Sequence, residues 1–534
     1  MSVRFPAVAR RGLGAGLDLP WDGVTGFGPT AHGDGLAPPL ATFLSRHPGQ
    51  WAHAFFSWQP RDRSPPRLED YAPAWDQLVA ALPANRPFAL HHTALNLASL
   101  APYERGGLLA FTRALCERYA LQWVNEDVGF WSLDGRAVPY PLPPLLTGGG
   151  LAATIRNTRE CQDGLSVPLV LEFPGFSAGA SVVVGEMHAY DFFRRLAEAT
   201  DAPVTLDVGH LLSWQWWRGR RGRALFDELE RLPLEHCFEL HLSGCEVVGE
   251  TFVDAHHGTL LDEQFELTER LLERCPNLRV VTWEDPRFDA TGTLGAPNRR
   301  SWERLQQVVA KWLEQPIDAR DVASAGRRER HTHGGFPLAH VERALGDYLH
   351  GATPALEIDG LPVQEETAAV EAVHSMVRER RYRGTGGLRE WFPQTLAAFP
   401  DLSELVARFC ASAHGSSWRE HGGGPSLEEA LYRFLTAENV GEAGVREDEF
   451  LGAVVRALAV APRASFSLPA EVRRTAAGFV AVTSGMVLHA AVGGRYVRGR
   501  VTPMLAALLT GEPLAAGPEV ELVRRELVSR ELVA

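Results

Sequence analysis

Short apolar runs alternate with longer amphipathic stretches over residues 1–315, and this alternation limits the fold more than any other feature of the chain. Helical patterns such as Glu104–Tyr119, Glu186–Thr200 and Glu263–Arg274 separate most of the apolar runs. The eight runs that read as buried strands are Gly12–Leu17, Ala52–Trp58, Phe88–Leu95, Leu121–Asp127, Pro168–Phe173, Pro203–Val208, His236–Leu242 and Leu278–Glu284. Eight β–α units in a stretch of this length predict an α/β fold, the (β/α)8 or TIM barrel.

The periodicity divides the chain into two regions joined by a linker. Residues 1–315 carry the barrel pattern, and residues 316–335 lose it while Arg and Gly accumulate. Residues 336–534 read as mainly α-helical, with one β-capable stretch at Gly478–Val492. We therefore expect a barrel domain, a linker and a mainly helical C-terminal domain.

The composition is that of a globular chain with an acidic surplus. Of 534 residues, 45% are hydrophobic and 22% charged, and 66 acidic residues against 53 basic ones give a net charge of −13. This balance disfavours nucleic acid as a partner, because binding to phosphates requires positive charge. None of the six cysteines has the C-x-x-C spacing, the first residues lack the apolar core of a signal peptide, and no run of about 18 apolar residues could span a membrane. We expect a cytoplasmic protein with reduced thiols and no membrane segment.

Ionisable side chains end nearly every predicted strand after the second. In a TIM barrel the carboxyl ends of the strands form the mouth in which chemistry takes place, so these side chains should converge. Imidazoles and carboxylates that converge in one mouth are ligands for Zn, Fe or Mn. The candidate metal ligands are His91, Glu126, Glu172, Asp207, His210, His241, Asp254, His256 and Glu284.

Residue spacing supports this prediction at two places. The Asp-x-x-His spacing at 207–210 lets both side chains leave one strand end, and the Asp-x-His spacing at 254–256 puts two ligands on one side of an extended loop. So many buried charges facing one another require cations to neutralise them. Glu239 points to the same face as His241 and could be a ligand, a support for a ligand or neither. The residues expected only as neighbours of ligands are His53, His92, His257 and Asp285.

At these strand ends the sequence resembles a known family, the multinuclear non-heme iron-dependent oxidative enzymes. These TIM-barrel proteins modify ribosomally made peptides, as in methanobactin biosynthesis. The matching segments, in the family's order, are Leu90–Leu95, Val124–Ser132, Leu171–Pro174, Leu206–Val208, Glu239–Gly244 and Asp254–His256. The resemblance implies an iron cofactor of two or three ions, with O2 as cosubstrate. The iron ligands that it implies are His91, Glu126, Glu172, Asp207, His241, Asp254 and His256.

The chain departs from that family at several motif positions. Gly16–Trp21 lacks the His that the family carries after its first strand, and Phe173 and Cys245 replace an Asn and a His. Some departures resemble a sister group, the xylose-isomerase-like barrels that include endonuclease IV and hydroxypyruvate isomerase. Those proteins use Glu, Asp-x-x-His, His, Asp-x-His and Glu on successive strands, an order matched here by Glu172, Asp207, His210, His241, Asp254, His256 and Glu284. Either resemblance implies a TIM barrel of the xylose-isomerase-like type with a metal site.

The C-terminal domain is similar to the helical partner proteins of these peptide-modifying oxidases. The similarity rests on Leu388–Thr395, Phe409, Ser416–Ser417 and Leu431–Leu435. In those systems the partner is often a separate chain that helps to hold the precursor peptide, so the resemblance implies a partner fused in cis. A nuclease or a sugar isomerase would not need such a partner.

The residues and the resemblances leave three functions open. The first is an iron- and O2-dependent oxidase that modifies a residue, such as Cys, of a ribosomally synthesised precursor peptide. The alternative is a divalent-metal hydrolase or isomerase of the endonuclease IV or sugar isomerase class, in which metals activate water or polarise a carbonyl. The third is a non-catalytic peptide-binding protein with a vestigial metal. The acidic net charge disfavours a nuclease, and the full set of candidate ligands disfavours a non-catalytic protein with a vestigial metal.

Overall fold

Eight parallel strands close into a barrel in the N-terminal part of the chain, which is described by a computed structural model. The barrel strands are β1 (Gly12–Leu17), β2 (Trp51–Trp58), β3 (Phe88–His92), β4 (Trp123–Asp127), β7 (Leu169–Glu172), β9 (Val204–Asp207), β10 (Cys237–Leu242) and β13 (Val280–Glu284). Their order around the barrel is β1-β13-β10-β9-β7-β4-β3-β2, so sequential strands are neighbours. The predicted (β/α)8 barrel is confirmed, and the strands coincide with the predicted runs apart from a few residues at their ends.

Parts of the chain lie outside the structural description. The structure describes residues 3–8, 11–17, 37–47, 51–58, 68, 72, 76, 79–80, 87–176, 181–289, 291–316, 338–356, 358, 361–365, 369–379, 388–418, 425–460, 469–493 and 495–533. The predicted linker at 316–335 therefore lies outside the described residues except for residue 316. The stretch that follows β1, residues 18–21, also lies outside them.

Helices cover the outside of the barrel, as the amphipathic stretches predicted. They are α1 (Ala37–Arg46), α2 (Gly106–Tyr119), α3 (Gly148–Gly164), α4 (Ala189–Thr200), α5 (Val208–Trp217), α6 (Asp262–Leu272) and α7 (Ala296–Glu314), with 3-10 turns at Gly222–Phe226, Leu229–Arg231 and Leu234–His236. Helix α4 shows why these segments are helical. His188 caps its first turn through Nδ1, and Asp201 ends it in the left-handed conformation at φ 51°. Phe193 and Leu196 lie on its buried face, and each contributes about 2 kcal/mol by burial.

Side chains alternate between the outside and the inside of the barrel along each strand. Position 14 on β1 requires glycine, because the His53 side chain on β2 packs directly against it. A Cβ at Gly14 would lie 1.9 Å from His53 Cε1, so only glycine leaves room for the imidazole inside the barrel. His53 is 1% exposed and contributes a polar group to a layer that is otherwise closely filled.

Two short hairpins and one extra strand extend the barrel beyond its carboxyl ends. They are formed by β5 (Phe130–Leu133), β6 (Arg136–Leu142), β8 (Val182–Val184), β11 (Cys245–Val248) and β12 (Thr251–Asp254). Strand β8 pairs with β14 (Val363–Glu365) of the C-terminal region in an antiparallel ladder. The barrel loops and the C-terminal region are thus joined by backbone hydrogen bonds as well as by side chains.

The C-terminal region is largely helical and also contains a small sheet. The helices are α8 (Ala339–Leu349), α9 (Ala369–Glu379), α10 (Leu388–Trp391), α11 (Ser403–Cys410), α12 (Ala413–Ser417), α13 (Leu427–Ala437), α14 (Ala443–Val460), α15 (Pro503–Thr510) and α16 (Pro518–Ser529). The sheet is antiparallel in the order β15 (Val472–Arg474), β16 (Gly478–Val482), β17 (Val487–Val492) and β18 (Arg495–Arg500). The β-capable stretch predicted at Gly478–Val492 corresponds to β16 and β17.

All six cysteines are buried, and none of them forms a disulfide. This agrees with the reduced thiols expected from their spacing. Among the described residues, no helix is both long enough and apolar enough to cross a membrane.

One apolar core runs from the barrel loops into the C-terminal helices. The barrel side contributes residues of the β5–β6 hairpin and β8, and the C-terminal side contributes α8 to α14. Representative members are Leu100, Phe130, Leu133, Val182, Val341, Trp391, Phe409, Phe434 and Val455. Because the two regions bury apolar surface against each other, the C-terminal region is part of the wall around the barrel's upper loops.

Glu342 on α8 is the polar centre of this contact. Its carboxylate is buried and accepts hydrogen bonds from the backbone N–H groups of Leu100 (2.7 Å), Ala101 (2.9 Å) and Asp134 (3.1 Å) and from the Ser99 hydroxyl (3.2 Å). Ser99 to Ala101 belong to the loop after β3, and Asp134 is the turn of the β5–β6 hairpin that follows β4. One carboxylate from the C-terminal region therefore holds two loops at the carboxyl ends of adjacent barrel strands.

We expect Glu342→Gln to lower the apparent free energy of unfolding by about 1–3 kcal/mol, because the amide cannot accept from all four donors and leaves buried N–H groups without a partner. The matched control is Glu303→Gln on the exposed face of α7, which should stay within about 0.5 kcal/mol of the wild type. Thermal and denaturant unfolding of both variants measure the difference. Equal stability of the two variants would show that Glu342 does not hold the loops.

Candidate metal centre

The carboxyl ends of six barrel strands bring buried His, Asp and Glu side chains together in the mouth. Three groups of these side chains have ligand atoms within 4.8 Å of one another. The groups are His91, Asp127 and Glu172; Glu172, Asp207 and His210; and Glu172, His241 and Glu284. Each group contains an imidazole and two carboxylates, which is a donor set that divalent transition metals accept.

Glu172, at the end of β7, is common to all three groups. Its Oε1 lies 3.2 Å from His241 Nδ1, and its Oε2 lies 3.2 Å from His91 Nε2. The Asn125 amide of β4 donates to Oε2 and fixes the plane of the carboxylate. Because the two oxygens of Glu172 face different imidazoles, this carboxylate has the arrangement of a group that could bridge two ions.

Asp207 ends β9 and also begins α5. Its Oδ1 accepts from the backbone N–H of His210 at 2.6 Å, which makes it the N-cap of the helix. Asp207 Oδ2 is buried, and no hydrogen-bond partner for it exists among the described residues. An oxygen that is buried without a partner is costly, so this atom fits a site that receives a cation.

The β11–β12 hairpin adds a second set of side chains at the rim of the mouth. Asp254 Oδ2 lies 3.1 Å from His210 Nε2 and 3.1 Å from His256 Nε2, and His256 Nδ1 lies 3.0 Å from Asp285 Oδ2. His256 and Asp285 both have positive φ, at 44° and 46°. Such strained backbone is held in place by its surroundings and is common where side chains must be aimed at a functional site. Cys245 lies opposite Asp254 at the base of the hairpin, with Sγ 3.7 Å from Asp254 Oδ1.

Eight of the nine predicted ligands lie in this connected cluster. His91, Glu172, Asp207, His210, His241 and Glu284 belong to the three groups, and Asp254 and His256 continue the cluster through His210. Of the residues expected as neighbours, Asp285 contacts His256 and His53 lies deeper in the barrel.

Glu126 is the ninth predicted ligand, and the structure does not bring it to the cluster. Its carboxylate faces away from the barrel axis, where Oε1 accepts from the Leu95 backbone N–H at 3.1 Å and Oε2 lies 3.3 Å from His92 Nδ1. Burial, reinforced by the adjacent Asp127 carboxylate, raises the pKa of Glu126 well above its usual range. Burial also lowers the pKa of His92 to about 3. A neutral Glu126–His92 pair supports the loop after β3.

Asp127 occupies the position in the cluster that the sequence analysis gave to Glu126. Strand alternation explains the difference, because Trp123, Asn125 and Asp127 point into the barrel and Glu126 points out. Asp127 Oδ2 lies 3.5 Å from His91 Nε2. The period of two along β4 was the sequence signal that could have identified both Asn125 and Asp127.

The electrostatics of the cluster favour added positive charge. Burial alone would raise the pKa of Glu172, but His241 and His91 hold it well below its usual range. Burial opposes protonation of His241, yet Glu172 and Glu284 raise its pKa well above the ordinary value. Burial raises the pKa of Asp207 to about 6, although the adjacent His210 opposes this rise. Protons on the imidazoles can balance the carboxylates, and a bound metal cation would displace them.

A closed parallel barrel whose mouth gathers these side chains defines a TIM-barrel protein with residues that could hold metal ions. In sequence comparison, the profile described as "RiPP precursor modification enzyme MbnB/TglH/ChrH" matches residues 68–296. RiPPs are ribosomally synthesised and post-translationally modified peptides. The match covers most of the barrel and agrees with the resemblance that the strand-end motifs predicted.

Similar proteins include several bacterial chains named UPF0276 protein. The one from Paraburkholderia phytofirmans is 26% identical over 213 residues, which cover 39% of this chain and 67% of that protein. The one from Rhizobium meliloti is 24% identical over 244 residues, or 44% of this chain and 74% of that protein. A Pseudomonas aeruginosa relative is 27% identical over 183 residues, or 34% of this chain and 61% of that protein.

Matches among solved structures include a xylose isomerase-like TIM barrel protein from Mycobacterium smegmatis in complex with magnesium. It is 14% identical, with a TM-score of 0.33, over 57% of this chain and 99% of that chain. A putative dihydrodipicolinate synthetase from Pseudomonas aeruginosa is 11% identical, with a TM-score of 0.27, over 69% of this chain and 98% of that chain.

The two neighbouring carboxylates of β4 give a direct test of the metal centre. We expect Asp127→Asn to lower the metal content of the purified protein, because it removes an anionic oxygen beside His91 and Glu172. Glu126→Gln should keep the metal content of the wild type, because its carboxyl contacts His92 and the backbone of Leu95 and Asn96 rather than the cluster. Elemental analysis of both variants, purified anaerobically, measures the difference. Loss of metal in Glu126→Gln with retention in Asp127→Asn would place the site on the opposite face of β4.

Proposed function

We propose that this protein is a multinuclear non-heme iron oxidase that uses O2 to modify a residue, such as Cys, of a ribosomally synthesised precursor peptide. The observation that carries the proposal is the sharing of Glu172 by three ligand groups in a barrel of the RiPP precursor modification family. One octahedral ion could not use all of these side chains, whereas two or three ions could.

The residues present fit iron in both type and number. The first ion would be held by His91 and Asp127 with Glu172, and a second by His241 and Glu284 with the other oxygen of Glu172. Carboxylate and imidazole donors suit Fe(II) and Mn(II), whereas thiolate donors select softer metals. A further ion would be held by Asp207, His210, Asp254 and His256. Asp207 would contribute its Oδ2, which is buried without a hydrogen-bond partner among the described residues.

Bound iron would supply the one-electron and O2 chemistry that these side chains do not perform by themselves. The chain's own residues control access to it. The side chain of Glu172 is 2% exposed and that of Asp254 is 7% exposed, whereas that of His256 is 30% exposed. The peptide would therefore enter past His256, beside the β11–β12 hairpin. Its reacting side chain would be held away from bulk water, which limits side reactions.

The C-terminal region offers a surface for the rest of the peptide. In the described part of the chain, β18 is an edge strand that pairs only with β17, so its outer edge can accept an extended peptide. Arg495, Arg498 and Arg500 are exposed on this strand, and Val497 is 53% exposed. Because Arg498 is paired with Asp448, Arg495 and Arg500 supply the positive charge that favours an acidic peptide, and Val497 favours apolar side chains at alternate positions of that peptide.

Metal content and O2 use test the proposed reaction. Protein made with adequate iron and purified anaerobically should hold at least two ions per chain, mainly iron, and should consume O2 faster when precursor peptide is added. Asp207→Ala and His241→Ala should lose metal and activity while circular dichroism shows a folded barrel, because barrel stability is set away from the mouth. At most one equivalent of metal would contradict the multinuclear site. Hydrolysis or isomerisation without O2 consumption would favour the alternative metalloenzyme class.

Charge reversal on β18 tests the peptide-binding surface. The double variant Arg495→Glu/Arg500→Glu should bind a fluorescent peptide of alternating Glu and Val residues at least about tenfold more weakly, because two attractive charges become repulsive. The matched control is the double variant Arg274→Glu/Arg300→Glu, which changes the net charge by the same amount at two exposed positions of the barrel region. Fluorescence anisotropy measures both affinities. Equal loss in the two variants would show that only the overall charge matters, and no loss would place the peptide elsewhere.

A further inference from the structure

We infer that Glu239 is a positioning residue that determines which nitrogen of His241 is presented to the metal cluster. The inference rests on the proposed metal site and extends it one layer deeper into the barrel. Glu239 and His241 both lie on β10 and point inwards, so the carboxylate sits directly below the imidazole along the strand.

The Glu239 carboxylate collects four polar contacts in the centre of the barrel. Oε2 accepts from Trp123 Nε1 at 3.1 Å, and Oε1 accepts a hydrogen bond from the Thr282 hydroxyl. Oε1 also lies 3.1 Å from His53 Nε2 and 3.2 Å from His241 Nε2. The side chain of Glu239 is 1% exposed, so it cannot reach a substrate and can act only through these four residues.

The two nitrogens of His241 face opposite ways. Nδ1 faces the cluster, where it lies 3.2 Å from Glu172 Oε1 and 2.5 Å from Glu284 Oε1. Nε2 faces Glu239. The Phe55 ring stacks on the imidazole with a centroid distance of 5.3 Å and an interplanar angle of 17°, which opposes rotation of the ring.

A carboxylate below Nε2 selects one tautomer of the imidazole. An ionised carboxylate only accepts hydrogen bonds, so the proton of a neutral His241 belongs on Nε2 and the lone pair on Nδ1. A lone pair on Nδ1 points at Glu172 and Glu284, where the metal would be held. Carboxylates in this position orient ligand histidines in metalloproteins and raise their basicity.

The surroundings of Glu239 explain why a glutamine would not replace it. Trp123 and Thr282 both donate hydrogens to this carboxylate, and His53 Nε2 lies 3.1 Å from it. A glutamine side chain has one accepting oxygen and one donating nitrogen. Its NH2 group would face a donor or would offer a hydrogen to His241 Nε2, and the second arrangement would move the imidazole proton to Nδ1 and block the metal.

The test compares Glu239→Gln with a matched control, Thr282→Val. Thr282→Val is nearly isosteric and removes one hydrogen bond to Glu239, but it leaves the carboxylate below His241. Thermal unfolding of the metal-free proteins gives the structural cost of each change. Anaerobic titration with Fe(II), and with Co(II) as a spectroscopic probe, gives the affinity and the ligand field.

We expect Glu239→Gln to bind one Fe(II) equivalent about 10–100-fold more weakly and to change the Co(II) absorption bands. Thr282→Val should keep the Fe(II) affinity and the Co(II) spectrum of the wild type, even if its melting temperature falls as much as that of Glu239→Gln. Wild-type affinity and an unchanged Co(II) spectrum in folded Glu239→Gln would overturn the inference. Equal weakening in both variants would also overturn it, because the effect would then be structural.

A second measurement needs no variant and decides the case where Glu239→Gln fails to fold. A crystal structure of wild-type protein loaded with Zn(II) shows which nitrogen of His241 ligates the ion. Ligation through Nδ1, with Nε2 within hydrogen-bond distance of Glu239, supports the inference, and ligation through Nε2 overturns it. Wild-type protein that binds no metal under any of these conditions would contradict the proposed function itself.

Discussion

Buried carboxylates that face one another across the mouth of the barrel are the constraint on which the rest of this structure depends. Asp127, Glu172, Asp207 and Glu284 end four strands within one enclosed space, where their mutual repulsion is weakly screened. The imidazoles between them make this tolerable by taking up protons or by sharing a cation. The closed barrel supplies the rigid frame, in which strand register places Glu172 between Asp127 on β4 and Thr205 on β9.

The C-terminal region contributes to the same frame from outside the barrel. Glu342 fixes the loop that follows β3 and the hairpin that follows β4, and these strands end in His91 and Asp127. The apolar core around Glu342 is continuous, so the C-terminal helices pack directly against the barrel loops. Because this region supports the loops around the mouth, a change in it can reach the cluster through packed side chains.

Much of this arrangement could be predicted from the sequence, and what could not has a physical reason. The eight strands were recognisable because each is a short apolar run between helical patterns, and most candidate ligands were recognisable because they lie at the ends of those runs. Glu126 was selected over Asp127 because both end β4, and only the inward or outward direction of each residue separates them. The contacts of Glu342 could not be predicted, because its partners lie more than 200 residues away in the chain.

Depth along the barrel axis separates the roles of these residues. Phe173 and Cys245, which depart from the family's motifs, lie just beyond the carboxyl ends of β7 and β10, whereas Glu172 and His241 lie within those strands. A strand residue is constrained on every side by its barrel neighbours, and a loop residue is constrained mainly by what it meets at the rim. Residues at the rim can therefore change with less structural cost than residues of the cluster. Because the rim is what an entering peptide contacts, differences among such proteins should concern the substrate more than the metal centre.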